Sequence, residues 1–199
     1  HFPIETLRPG DVIATNDPWL GTGHLPDYIL LAPIFYQGRV VACMGTVSHM
    51  SDVGGHPGEI EGDDVFAEGL RMTPFKLYEE GRENPLAFNI IGANCRAPDL
   101  LLGDLRAMAG ATKVGGDRFR ELLEDASLTN IDTVAAAISA RSEKHMRRRI
   151  LDLPDGIYHY GMDIDGYIDT AHLEVAVTIE GSEVLVDYTG TSPQSTKGS

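Results

Sequence analysis

The hydrophobic periodicity of these 199 residues changes twice along the chain, and the order of those changes restricts the available folds more than any single motif does. Through residue 97, short apolar runs at 11–14, 28–35 and 40–47 are broken by Gly, Pro, Asn and Asp, the pattern of buried strands. Over 98–153 the apolar positions fall three and four apart, as in Leu101, Leu105, Met108 and Ala109, which is helical spacing. From 172 the period is two: Leu173, Val175, Val177 and Ile179 alternate with His172, Glu174, Ala176 and Thr178. Strands, then helices, then strands, with no regular strand–helix–strand alternation, predict an α+β fold. The expected parts are a mixed sheet in the N-terminal half, central helices and a C-terminal antiparallel hairpin.

Local signals refine this outline. Gln37-Gly38 reads as a turn, and the nearly continuous apolar run 40–47, with Cys43 in it, reads as a strand covered on both faces, with a short helix left open by periodicity alone. Pro98 and Asp99 open a helix that Gly115-Gly116 is expected to stop. Asp117 then caps a second helix with Phe119, Leu122, Leu123 and Ala126, and Asn130 a third with Ile131, Val134, Ala135 and Ile138. Gly181-Ser182 joins the alternating strand to Val184-Leu185-Val186. The regions 1–97, 98–153 and 154–199 read as parts of one domain. Without an initiator Met, and with a tail after Gly190 that closes no element, the chain reads as an internal piece of a longer protein.

Charge bears on partners. Sixteen basic and thirty acidic residues give a formal net charge of −14, the wrong sign for nucleic acid or an anionic membrane surface. The balance is uneven: six basic and fourteen acidic residues over 1–100, nine and eight over 101–153, one and eight over 154–199. The basic run 141–149 suits the C-terminal half of a helix and reads as a solvated or subunit-facing surface. The apolar runs fall short of the roughly 20 residues of a spanning helix. Two widely spaced cysteines, Cys43 and Cys95, form neither a disulfide framework nor a metal motif, which fits a reducing compartment, and a cytoplasmic location is expected.

The chemistry concentrates in two stretches, Asn16 to Asp27 and Ser48 to Gly58. His-x-x-Asp occurs in each, as His24/Asp27 and His49/Asp52, beside Gly21, Gly23, Gly54 and Gly55. If the runs between them pair as neighbouring strands, both motifs lie at one end of a sheet, and two imidazoles and two carboxylates suit Mn²⁺, Fe²⁺ or Zn²⁺ with room for water or substrate. The residues alone leave another reading open, in which Asp27 and Asp52 serve turns and the histidines are satisfied by hydrogen bonds. His56 offers a further ligand or an acid/base group, or belongs to an ordinary Gly-rich loop. Asp17 supports a ligand or makes an Asx-turn before Pro18. Asp163 to Asp169 hints at calcium but lacks the closing Glu, so Asp165-Gly166 reads as a turn. No Gly-x-x-x-x-Gly-Lys-Ser/Thr, Gly-x-Gly-x-x-Gly after a strand, or Gly-x-Ser-x-Gly is present, so any ATP must be held by another chain or segment.

These residues also resemble a family. Asn16-Asp17-Pro18 with Gly21-Thr22-Gly23-His24-Leu25-Pro26-Asp27, His49-Met50-Ser51-Asp52-Val53-Gly54-Gly55, and Glu68-Gly69-Leu70 with Pro74-Phe75-Lys76-Leu77 are similar to the hydantoinase B/oxoprolinase family. So are Asn94-Cys95-Arg96-Ala97-Pro98, Gly103-Asp104-Leu105, Leu153-Pro154-Asp155-Gly156 and the run from Asp187 to Gln194. The resemblance covers nearly the whole chain and implies that the family's metal-binding positions fall on His24, Asp27, His49 and Asp52. Many amidohydrolase members have Thr before the first His and a His-His pair in the second motif. Here Gly23 and His49-Met50 stand instead, and Gly-Thr-Gly-His is also similar to the carboxylase branch.

The resemblance implies a metal-dependent subunit of an ATP-dependent cyclic-amide hydrolase, opening a hydantoin or 5-oxoproline ring beside a hydantoinase A-type subunit that handles the nucleotide. His56 and Asp17 would be its acid/base candidates. The alternatives are the corresponding subunit of an ATP-dependent ketone carboxylase, and a non-catalytic assembly module. Each implies a hetero-oligomer.

Overall fold

The computed structural model describes residues 1–56, 64–166 and 170–194. It divides into two compact units, His1–Ile131 and Asp132–Ser199. The first unit contains, in order, β1 (Val12–Thr15), β2 (Asp27–Tyr36), β3 (Arg39–His49), α1 (Val65–Glu68), β4 (Phe75–Glu79), β5 (Arg82–Glu83), α2 (Pro85–Ala93) and α3 (Pro98–Asp125). Its five-stranded sheet has the order β3-β2-β1-β4-β5. The α+β class is as expected, but every pairing in this sheet is antiparallel, so it is not mixed. Two-residue turns account for the β2–β3 and β4–β5 pairings: Gln37-Gly38 and Glu80-Gly81 both have positive φ at each residue, the twist that returns a strand beside its predecessor.

On β2, Tyr28, Leu30 and Ile34 point inward and are almost fully buried. Against them α3 lays Leu101, Leu105, Met108, Ala109 and Thr112, one stripe of a 3.6-residue helix. α2 starts at Pro85 behind Asn84, whose side chain accepts from the Ala87 amide, and adds Phe88 and Ile91 to the same core.

Two expectations fail here for identifiable reasons. The helix does not stop at Gly115-Gly116; α3 runs unbroken for 28 residues and absorbs the separate helix expected after Asp117. A Cβ on Gly115 would lie 2.9 Å from the Met44 thioether, so the glycine lets helix and sheet approach closely instead of ending the helix. The run 40–47 is not covered on both faces either. It belongs to β3 at the edge of the sheet, where Cys43 and Val47 are exposed.

The second unit contains α4 (Asp132–Ile150), β6 (Gly156–Ile164), β7 (Ala171–Glu180) and β8 (Glu183–Asp187). The alternating segment forms the β7–β8 hairpin across Gly181, as expected, and β6 extends it to three antiparallel strands. Asp163 accepts from one ring nitrogen of His172 at 2.7 Å, while Glu174 lies 3.1 Å from the other. The stretch Asp163 to Asp169, with the turn expected at Asp165-Gly166, falls partly on 167–169, which lie outside the described residues. No helix among the described residues is long and apolar enough to cross a membrane.

Candidate metal centre

The β2–β3 hairpin sets the geometry of the site. Its register puts Asp27, the first residue of β2, directly opposite His49, the last residue of β3. Side chains directly opposed in an antiparallel pair share a face, so these two meet without any loop rearrangement. His24 arrives from the preceding loop, which turns at Gly23 with φ of +100°. Asp27 Oδ1 lies 2.9 Å from His24 Nε2 and 3.0 Å from His49 Nδ1, and the ring centroids of the two histidines are 5.1 Å apart. One ligand atom from each of the three residues falls within 4.8 Å of the others, the only such convergent His/Cys/Asp/Glu group among the described residues.

The cluster opens toward solvent on the imidazole side: the side chains of His24 and His49 are 48% and 64% exposed, against 18% for Asp27. Burial by itself pushes the Asp27 carboxyl upward. Hydrogen bonds from His24, Thr22 and His49 outweigh it and hold the group below the usual carboxylate range. An ionised carboxylate between two imidazoles, with one side uncovered, is a donor set for a borderline divalent cation that leaves a coordination position free.

Asp52 has a different environment. Its carboxylate accepts from the Gly54 amide at 3.0 Å, from the Arg96 guanidinium at 2.9 Å and from the Arg96 backbone amide. Arg96 also donates to the Gly55 carbonyl, so the pair ties the loop after β3 to the start of α3. Opposing the effect of burial, these bonds keep Asp52 below the usual carboxylate range as well. Gly54 and Gly55 are required here: both have positive φ, and a Cβ on Gly54 would sit 2.7 Å from the Asn94 carbonyl oxygen.

His56 is exposed and its amide donates to the Ala67 carbonyl at 3.1 Å. Asp17 is buried and accepts from the Trp19 amide at 3.1 Å, the Asx-turn geometry. Neither belongs to the convergent group. Sequence reasoning missed two residues that shape the site, Arg96 and Asn16. Apart from Leu25, nine positions from Asn16, their partners lie 41 to 56 positions away, and no local pattern announces such contacts.

A cavity of about 650 Å³ lies near the other end of β2, lined by Ile34, Phe35, Thr112 and several charged groups. Its cations are held by neighbouring carboxylates, Arg106 by Glu83, and Lys113 and Arg120 by Asp117.

The family model for hydantoinase B/oxoprolinase matches residues 1–199. The B-type subunit of a putative D-/L-hydantoinase from Pseudomonas sp. (strain NS671) is 36% identical over 203 residues, covering 96% of this chain and 34% of the relative. The crystal structure of ATP-dependent caprolactamase from Pseudomonas jessenii superposes with a TM-score of 0.79 at 32% identity, over 90% of this chain and 32% of that one. A nucleotide-free acetone carboxylase structure shares the fold at a TM-score of 0.76 and 16% identity, over 96% of this chain and 28% of that one. The chain thus spans about a third of the length of these proteins. It belongs to the hydantoinase B/oxoprolinase family.

Proposed function

We propose that this chain carries the metal centre of the B-type subunit of an ATP-dependent cyclic-amide hydrolase, acting with a hydantoinase A-type subunit that handles ATP. The observation that carries the reading is the convergence of His24, Asp27 and His49 at one end of the β2–β3 hairpin. Family membership and the likeness to a hydantoinase and to caprolactamase support the substrate class.

The residues present fit a divalent ion such as Mn²⁺, Zn²⁺ or Fe²⁺. His24 Nε2, Asp27 Oδ1 and His49 Nδ1 would hold it, in the arrangement of three protein ligands with an open position. When bound, such an ion supplies a Lewis acid for a carbonyl oxygen and lowers the pKa of water. The remaining work falls to the chain. Asp27, held below the usual carboxylate range, binds both imidazoles through one oxygen, and the same two nitrogens would exchange these hydrogen bonds for the ion. Each imidazole must present a bare lone pair to the ion, so loading competes with protonation and weakens on acidification. Asp52 is engaged with Arg96 and holds the second loop, leaving three side chains as ligands. His56, on that loop and open to solvent, is the acid/base candidate.

The test is reconstitution of the full-length subunit with its A-type partner, ATP and a panel of hydantoin, 5-oxoproline and caprolactam. Ring opening that needs ATP, stops with a chelator and returns with added metal is the expected result. Ring opening unaffected by metal removal contradicts the metal-centre reading. ATP-dependent fixation of bicarbonate onto a ketone, with no ring opening, replaces the hydrolase by the carboxylase.

A further inference from the structure

We infer that Asn16 is a positioning residue for this centre, fixing the loop that carries His24 and Asp27 from beneath; the inference rests on the metal-centre reading above. Asn16 follows β1 and is 2% exposed. Its side-chain amide is used from both ends. Nδ2 donates to the Leu25 carbonyl at 3.0 Å and to the Leu70 carbonyl at 2.9 Å, and Oδ1 accepts from the Met72 amide at 2.7 Å. Its own backbone amide donates to the Met72 carbonyl at 3.3 Å.

Leu25 lies between the two ligands of the first motif and is completely buried, so its carbonyl is a fixed point within the ligand loop. The next carbonyl, that of Pro26, accepts from the Met50 amide at 2.8 Å, and Met50 directly follows His49. A line of hydrogen bonds therefore runs from Asn16 through 25–26 to the third ligand.

The chemistry of the contact selects asparagine. Two carbonyls and one amide N–H must be satisfied from one short side chain in a buried place, which requires two donors and one acceptor on a planar group. Aspartate has the same shape but would set an oxygen against two carbonyl oxygens. An apolar residue would strand all three groups. Partners that orient metal ligands from behind typically change metal affinity by about 10- to 100-fold when removed.

The experiment titrates Mn²⁺ or Zn²⁺ into the full-length protein and compares wild type with Asn16→Asp, alongside His24→Ala and Asp27→Asn. The expected result is a Kd weakened about 10- to 100-fold in Asn16→Asp, with metal binding lost in the other two. An Asn16→Asp protein that melts earlier yet binds metal as wild type does overturns the inference and leaves the metal centre standing. Unchanged binding in His24→Ala and Asp27→Asn removes the centre and the inference with it. Should Asn16→Asp not fold, deuterium exchange in the wild type decides. Metal loading is expected to slow exchange of the Met72 amide, which is bonded to Asn16 Oδ1, and no slowing overturns the inference.

Discussion

Asp27 and Asp52 share a spacing from histidine, and their environments separate them. Asp27 sits in a strand, opposite His49 in the register, and its oxygen meets two imidazoles. Asp52 lies three residues past the end of β3, where the chain turns and Arg96 takes the carboxylate. The first arrangement was legible in the sequence, because two apolar runs joined by Gln37-Gly38 predict a hairpin and a hairpin brings its ends together. The second was not, because Arg96 is 44 positions away. Asp11 gives a test at this scale. Its side chain is fully buried and bonded to Lys76 Nζ at 3.0 Å and to the amides of Arg8 and Glu80 at 2.9 and 3.0 Å. Burial raises its pKa, but these bonds prevail and hold it below the usual range. Its contribution is therefore present above the unfolded carboxyl value of about 3.9 and lost as pH falls through the lower folded value. Asp11→Asn should cost about 3 kcal/mol in urea denaturation at neutral pH, and the gap to wild type should narrow in acid. A loss below about 0.5 kcal/mol would show that the ion pair is not what secures this corner.

At the scale of elements, strands were easier to read than helix ends. The runs 11–14, 28–35 and 40–47 all became strands, since a short apolar run between turn signals leaves the backbone few other ways to satisfy its hydrogen bonds. Edge position was not legible: whether a strand is covered depends on its neighbours, and 40–47 turned out to be half exposed. In α3, packing against the sheet overrode the local cost of Gly115-Gly116, about 1 kcal/mol each relative to alanine. Gly103 shows the contrast, because a Cβ there meets nothing within 4 Å. Gly103→Ala should raise stability by about 1 kcal/mol, read as a higher denaturation midpoint. A lower midpoint would mean that a neighbour occupies that face.

For the whole molecule, the succession of periodicities predicted α+β correctly, and the β2–β3 and β4–β5 pairings followed from tight turns that periodicity alone does not reveal. The proposed centre has His24, Asp27 and His49 holding one divalent ion while Asp52 serves the fold. The most direct measurement is metal content per chain, by elemental analysis, for the wild-type protein and for His24→Ala, Asp27→Asn, His49→Ala and Asp52→Asn. About one ion per chain is expected in the wild type and in Asp52→Asn, and loss of the ion in the other three. Unchanged content in those three, or equal loss in Asp52→Asn, would contradict it.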